Sequence, residues 1–135
     1  MEVFNLSEQK EKVKIDADVG IGISKFISAE NISAGTAVID AGKQVNAHYH
    51  EQGEEVYLIT EGEGQMYLGK PNTQGVVEWD APVKVNEGDC FLVPRGRAHS
   101  LRNSGSGRLV IAFFSAPPFS AGGGSDRVLV ENPKK

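Results

Sequence analysis

Histidine is rare in this sequence, and its three copies occupy two separate stretches. His48 and His50 are separated by one tyrosine, and His99 lies much further along the chain. Residues two apart in a β-strand project to the same side, so the first two imidazoles are expected to point the same way. Glu54 and Glu55 follow just beyond, past a glycine. Three imidazoles and one carboxylate that converge inside a barrel would bind a divalent transition metal.

This set of ligand types limits the range of metals that could bind but does not identify one ion. Imidazole binds Fe, Zn, Cu and Ni, and a carboxylate adds a preference for Mn and Fe(II). The sequence therefore predicts one divalent transition metal as cofactor, whether Fe, Mn, Ni, Zn or Cu. Four protein ligands on an octahedral ion leave adjacent positions open, where a substrate with neighbouring oxygens can bind and be polarised.

Short β-strands separated by turns are expected to position these side chains. The 16 glycines and 6 prolines are spread along the chain, which is typical of tight turns between strands. One short N-terminal helix is predicted over 8–13, with Ser7 as its N-cap. The pattern indicates an all-β barrel or sandwich. The predicted strands are 19–27, 36–40, 45–50, 54–60, 65–68, 76–79, 90–93, 99–103, 109–114 and 127–131.

Composition restricts the class of protein. A length of 135 residues suits one domain spanning 1–135. The net charge of -4 argues against nucleic-acid or anionic-membrane partners. Cys90 is the single cysteine, which excludes an intrachain disulfide and a cysteine-rich zinc site. No apolar run is long enough to span a bilayer, and 1–15 lacks the apolar stretch of a signal peptide, so a cytoplasmic location is expected.

The stretch 42–62 has a spacing that resembles a known motif. Gly42 is followed after five residues by His48 and His50, then after four by Glu55 and after six by Gly62. This pattern resembles the first motif of the cupin superfamily.

The stretch 88–103 resembles the second cupin motif. Gly88 is followed after five residues by Pro94, and Gly96 by His99 after two, with Asn103 three residues further on. These residues match the second motif at every fixed position, and the two matches are independent of each other.

The resemblance implies a small single-domain, metal-binding cupin with a double-stranded β-helix, or jelly-roll, fold. It implies that His48, His50, Glu55 and His99 are the metal ligands. Glu55 is preferred to Glu54 because only Glu55 leaves six residues before the motif glycine. Small cupins often form homodimers, so a homodimer is expected, with 19–27 as a candidate shared strand or an edge strand within one chain.

Strand alternation predicts further residues around the metal. Tyr57 and Glu51 are the candidates for an acid or base. Cys90 is either a pocket thiol or a small buried residue. Phe119 lies in 115–126, a stretch of two prolines and three glycines that is either a lid or strap or a plain connector. The predicted pocket-lining residues are Asn46, Tyr57, Ile59, Gln65, Tyr67, Cys90, Leu101 and Phe119.

Together these features predict a metal-dependent cupin enzyme that acts on a small oxygen-rich molecule. Oxygenase-type (dioxygenase) chemistry is preferred because the full ligand set often serves O₂ chemistry in the family. A sugar or sugar-phosphate isomerase or epimerase, or a decarboxylase, would use the same site. A third hypothesis is a non-enzymatic module that binds or senses a small molecule.

Overall fold

Twelve strands and one short helix form the part of the chain that the structure describes. The computed structural model describes residues 1–118 and 126–134. The helix α1 covers Leu6–Gln9, and a 3-10 turn follows over Lys10–Lys12. In chain order the strands are β1 (Lys14–Asp16), β2 (Ile21–Ser28), β3 (Ser33–Ile39), β4 (His48–His50), β5 (Glu54–Glu61), β6 (Glu63–Pro71), β7 (Val77–Trp79), β8 (Val83–Asn86), β9 (Cys90–Val93), β10 (Ala98–Asn103), β11 (Leu109–Ala116) and β12 (Arg127–Leu129).

Two antiparallel sheets face each other and enclose the core. Sheet one has the order β1-β2-β3-β11-β5-β9, and sheet two has the order β12-β4-β10-β6-β7, with β8 also paired to β6. Strands far apart in the sequence are neighbours, since β11 lies between β3 and β5. This arrangement confirms the predicted all-β jelly-roll fold.

The core fills the space between the sheets. Its inward positions alternate with outward ones, as the pleat of a strand requires. Ile39, Ile59, Leu101 and Leu109 are at most 1% exposed, so both sheets contribute fully buried side chains. The packed sheets therefore form a rigid scaffold that positions polar side chains between them.

The N-terminal helix begins earlier than predicted. Asn5 is its N-cap, because the Asn5 side chain accepts a hydrogen bond from the Ser7 backbone N–H at 2.9 Å. The prediction of Ser7 as the cap was therefore wrong, and the helix starts at Leu6. The Gln9 side chain accepts a hydrogen bond from the Ser24 hydroxyl at 3.1 Å, which fixes this segment against β2.

Two strands were not predicted, and both lie at the margins of their sheets. β1 has no buried residue, and β8 has Val85 alone buried, so neither shows the alternation that reveals a strand. The predicted strand 45–50 is shorter than expected, since only His48–His50 is extended and paired. This shortening changes which side chains face inward, as described below.

Strand β2 is paired within its own chain. β3 pairs along it, and β1 covers its first residues from Ile21 to Ile23. That part of the predicted shared strand 19–27 therefore has no free edge for a second copy. None of the helices in the described ranges 1–118 and 126–134 has the length and apolar character needed to cross a membrane.

Candidate metal centre

Both sheets contribute to one cluster of metal-ligating side chains. β4 presents His48 and His50, and β10 presents His99 directly opposite His48 in the antiparallel register. Glu55 comes from β5 in the facing sheet. One ligand atom from each of the four side chains lies within 4.8 Å of the other three. The residues predicted from the two motifs are thus brought together.

Backbone carbonyls orient two of the imidazoles. His48 Nδ1 lies 2.8 Å from the Asn46 carbonyl oxygen, and His99 Nδ1 lies 3.3 Å from the Arg97 carbonyl oxygen. A carbonyl can only accept, so we assign the proton to Nδ1 in both rings. Each Nε2 then keeps a lone pair, which is the form in which histidine binds a metal.

Asp126 orients the third imidazole and was not predicted. Its Oδ1 lies 3.0 Å from His50 Nδ1, and its Oδ2 accepts the backbone N–H groups of Gln52 and Gly53 at 2.9 and 2.8 Å. Burial alone would raise the pKa of Asp126, but the Gln52 N–H, His50 and the Gly53 N–H hold this pKa below its usual range. The Asp126 carbonyl also accepts the Glu51 N–H at 3.1 Å. Asp126 therefore connects β12 to the β4–β5 turn and to the cluster.

Two buried atoms of the cluster have no hydrogen-bond partner among the described residues. These atoms are Glu55 Oε1 and His99 Nε2. Glu55 Oε1 lies 2.9 Å from His50 Nε2, without hydrogen-bond geometry, and 3.8 Å from His99 Nε2. The other carboxylate oxygen, Oε2, accepts the Ser115 hydroxyl at 2.9 Å. Buried polar atoms normally have partners, so the pair of orphaned atoms fits a site built for a cation.

Burial sets the protonation states of this cluster. Burial, and then the charge of His99, lower the pKa of His48 to about 2, and burial lowers that of His99 to about 4. Burial alone would raise the pKa of Glu55, but contact with His50 and its charge lower it to about 2. For His50, burial is outweighed by Glu55 and Asp126, and the pKa is raised. At neutral pH the cluster thus holds neutral His48 and His99 beside the Glu55 carboxylate. His50, with its raised pKa, would release its Nε2 proton when a metal binds.

A cavity opens beside the cluster. It contains about 450 Å³ of empty space, counting the part open to solvent. His48, His50 and Glu55 form one side of it. The remaining lining residues are Val19, Ile21, Ile23, Lys25, Ala37, Val45, Tyr57, Ile111, Phe113 and Arg127.

Tyr57 faces this cavity, as predicted. The ring is 5% exposed and lies 6.0 Å from the His99 ring, measured between centroids. Burial, and then the charge of Glu55, raise the pKa of the Tyr57 hydroxyl well above 10. The phenol is therefore protonated at neutral pH beside the cluster.

Three other predicted wall residues do not line this cavity. Ile59 and Leu101 are 1% and 0% exposed and belong to the hydrophobic core. The Asn46 side chain instead donates to the Asp18 carbonyl at 3.1 Å. Residues 45–47 are not in a strand, so alternation from His48 does not extend back, and Val45 faces the cavity in place of Asn46.

The predicted side of β6 was also wrong. β6 pairs with β10 so that His99 lies directly opposite Leu68. Residues directly opposite each other point to the same side of a sheet, so Leu68 faces the side of His99, and Gln65 and Tyr67 point away from the cluster. The Tyr67 hydroxyl donates to Gln65 Oε1 at 3.2 Å, and its ring packs against Trp79.

The two remaining predicted wall residues lie elsewhere. Cys90 is exposed, contrary to both interpretations of it, because it pairs with Leu58 on the outward face of β5. Phe119 lies outside the described residues, as does 119–125 of the predicted lid or strap.

The fold and the cluster together define a small jelly-roll domain with a candidate metal site between its sheets. The family described as "Cupin domain" matches residues 35–115, which is more than half of the chain. The chain therefore belongs to the cupin family. The matched segment contains all four cluster residues, whereas Asp126 lies beyond it.

The chain is also similar to individual proteins. An uncharacterised protein of Methanocaldococcus jannaschii is 31% identical over 88 residues, which is 65% of this chain and 62% of that protein. A crystal structure of an uncharacterised Klebsiella pneumoniae protein with a double-stranded β-helix domain has a TM-score of 0.71 at 19% identity, covering 98% of this chain and 99% of that one. Oxalate decarboxylase of Lactobacillus farciminis, in a formate complex, has a TM-score of 0.67 at 18% identity, covering 88% of this chain and 34% of that one. These structural likenesses concern the fold alone.

Proposed function

We propose that the protein is a metal-dependent enzyme that acts on a small molecule bound through adjacent oxygens, with oxygenase chemistry as the first candidate. The observation that carries the proposal is the buried pair of orphaned atoms, Glu55 Oε1 and His99 Nε2. A buried polar atom left without a partner costs about 1–3 kcal/mol. His99 Nε2 is the clearer case, since Glu55 Oε1 also lies 2.9 Å from His50 Nε2. A bound cation removes this cost, which supports a resident metal.

The residues of the chain have separable roles in this proposal. His48, His50, Glu55 and His99 would hold the metal, which supplies Lewis-acid or redox chemistry when bound. Asp126 holds His50 in the binding tautomer. The remaining walls are largely apolar and exclude water from the reacting molecule.

Tyr57 is the proposed proton donor. Its hydroxyl is protonated at neutral pH and belongs to the cavity that also contains Glu55. A phenol in this place can donate a hydrogen bond or a proton to an anion formed on the substrate. We expect Tyr57→Phe to lower turnover while leaving metal content unchanged.

The apolar cavity favours oxygenase chemistry over sugar isomerisation. A sugar phosphate needs donors and acceptors along its whole length. In the described part of this cavity the polar wall residues outside the cluster are Tyr57, Lys25 and Arg127, and Arg127 is paired with carboxylates of this chain. A decarboxylase acting on a small acid would fit the same walls. A non-enzymatic binding module remains the competing hypothesis, and it would bind a ligand without converting it.

Metal analysis tests the proposal directly. Protein purified without added metal is measured for metal content, together with His99→Ala and the matched pair Glu55→Gln and Glu54→Gln. We expect His99→Ala and Glu55→Gln to lose metal, and Glu54→Gln to retain it because Glu54 is exposed. Normal metal content in His99→Ala and Glu55→Gln would overturn the proposed site.

Oxygen consumption separates the candidate reactions. The Fe(II)-loaded protein is incubated with a panel of small 2-oxo and 2-hydroxy acids while dissolved oxygen and products are monitored. Uptake of O₂ coupled to product supports the oxygenase, and conversion under strict anaerobiosis supports the decarboxylase or isomerase. Tight binding without conversion of any acid supports the binding module.

A further inference from the structure

One side of the cavity beside the cluster is apolar. Ile21 and Ile23 face it from β2, and Ile111 and Phe113 face it from β11. Val45 completes the same surface. These aliphatic and aromatic side chains offer dispersion contacts and apolar area but no hydrogen bonds.

Outside the cluster, two charged residues of the described chain line this cavity, Lys25 and Arg127. Arg127 Nη1 lies 3.4 Å from Asp16 Oδ2 and 3.6 Å from Asp18 Oδ2. Its positive charge is therefore balanced by carboxylates of this chain. Lys25 is exposed on β2, so water and salt screen its charge. The strongest polar attraction for a ligand inside the cavity therefore comes from the cluster.

The charge of the metal-loaded cluster determines whether an anionic or a neutral ligand is preferred. A divalent ion held by three neutral imidazoles and the Glu55 carboxylate has a charge of about +1 within its ligand set, and the Asp126 carboxylate lies outside that set, against His50 Nδ1. In an apolar cavity this charge is stabilised best by a single negative charge bound directly to the metal. A neutral polyol would leave the charge unbalanced and its own outer hydroxyls without partners, each at a cost.

We propose that the cavity binds small organic acids with a chelating oxygen pair at one end and a compact apolar body, such as 2-hydroxy or 2-oxo acids with a branched aliphatic or aryl group. The inference rests on the metal-dependent function proposed above. The acid end binds at His48, His50, Glu55 and His99, and the apolar body packs against β2 and β11. Sugars and sugar acids are disfavoured, because the apolar walls on β2 and β11 offer no partners for their outer hydroxyl groups.

A ligand series tests this selectivity on the full-length protein loaded with Mn(II). The probes are 2-hydroxyisovalerate, 2-hydroxyisocaproate and mandelate, with glycerate and gluconate as polar acids that share the same chelating end. We expect each added methylene to tighten binding about threefold to fourfold, and the apolar acids to bind at least about tenfold tighter than glycerate. Equal or tighter binding of glycerate or gluconate, or binding of no acid, overturns the inference.

Metal content is measured first, so that two failures can be told apart. Protein that takes up no Mn(II) contradicts the proposed function. Protein that takes up Mn(II) but shows no preference for apolar acids contradicts only the inference about the substrate.

A matched pair of variants assigns the selectivity to the wall. Ile23→Thr places a hydroxyl in the cavity, and Ile27→Thr makes the same change on the same strand at a residue that is 41% exposed and outside the cavity. We expect Ile23→Thr to reduce the preference for 2-hydroxyisocaproate over glycerate about threefold or more, and Ile27→Thr to retain it. Ile23→Val, a milder change, should shift the preference in the same direction if Ile23→Thr does not fold. A wild-type preference in the Ile23 variants overturns the inference.

Discussion

Asp126 is the carboxylate that ties the start of β12 to the histidine cluster. One of its oxygens faces His50 Nδ1, and the other accepts backbone N–H groups of the β4–β5 turn. Partners of this kind fix the tautomer and direction of a metal-binding imidazole, and their loss typically costs tenfold to a hundredfold in metal affinity.

Replacement of Asp126 therefore has a defined expected result. We expect Asp126→Asn to weaken binding of Zn(II) or Mn(II) about tenfold to a hundredfold, measured by chelator competition, and to change the visible spectrum of the Co(II) form. Asp89→Asn is the control, because Asp89 also accepts a backbone N–H, that of Asn86 at 2.7 Å, without touching a histidine. Equal affinities in the two variants would contradict the role of Asp126.

The buried histidines predict how the metal-free protein responds to pH. The pKa values of His48 and His99 fall from 6.5 to about 2 and about 4 on folding, so the unfolded chain binds more protons below pH 6.5. Their contribution to stability is present above pH 6.5 and is lost as the pH falls towards about 4. The raised pKa of His50 acts in the opposite sense, because it favours the folded state at low pH. We expect the urea midpoint of the metal-free protein to fall between pH 6.5 and 4, and a flat profile would contradict this balance.

Residue types and spacing were enough to find the four cluster residues but not Asp126. The spacings around His48 and His99 are fixed by strand and turn geometry and can be read from the chain. Asp126 and His50 are 76 positions apart, and no local pattern relates them. Ser115 was missed for the same reason, since it meets Glu55 across the β5–β11 pair.

At the scale of elements, the turn between β5 and β6 depends on a glycine. Gly62 has φ +86, and a Cβ atom there would collide with the Arg108 carbonyl oxygen. Gly42 has a similar φ of +78, but a Cβ atom there would meet nothing within 4 Å. A substitution at Gly42 thus introduces backbone strain alone, whereas a substitution at Gly62 introduces strain and a steric collision.

This difference gives a matched pair of variants. Gly42→Ala should destabilise the fold by about 1 kcal/mol, from backbone strain alone. Gly62→Ala should cost about 2–4 kcal/mol because the collision with backbone adds to the strain. Urea unfolding of both variants measures the difference, and equal losses would show that the turn relaxes without cost.

Alternation along strands predicted the inward face correctly only where the strand is continuous. It succeeded for Glu55 and Tyr57 on β5, which both face the cavity. It failed for Asn46, which precedes a strand of only three residues. It failed again on β6, because the pairing of β6 with β10 decides which β6 residues face the cluster. That register cannot be read from the sequence of either strand alone.

At the scale of the whole molecule, the candidate centre bridges the two sheets. His48, His50 and His99 come from sheet two and Glu55 from sheet one. A metal that binds only the folded state at a concentration a thousandfold above its Kd stabilises that state by about 4 kcal/mol. We expect removal of metal with EDTA to lower the thermal midpoint by about 10–15 °C. The same treatment of His99→Ala should produce no change, and a large change there would place the stabilising metal elsewhere.

The homodimer stays a prediction, and the outer face of sheet one is where we expect a second copy to pack. Leu92, Val56 and Phe114 are cross-strand neighbours, and Ile27 continues the row beyond β3. Each of these four side chains is 37–50% exposed, so a second copy packed there would remove apolar area from water.

Light scattering coupled to size-exclusion chromatography tests this prediction. We expect a dimer at micromolar concentration, and expect Phe114→Ser to shift the protein towards monomer. Leu129→Ser is the control, since Leu129 is 52% exposed but lies on β12 of the other sheet. A monomeric wild-type protein would contradict the prediction.

The position of Asp126 outside the matched family segment has a consequence for protein engineering. A graft or fusion that transfers only residues 35–115 would carry all four ligands into a new host yet leave His50 without its carboxylate. Such a chimera should keep the four cluster residues but lose the β2 wall of the cavity and the carboxylate that orients one imidazole. Anyone transplanting this centre should therefore carry the segment through 126 along with the two motifs.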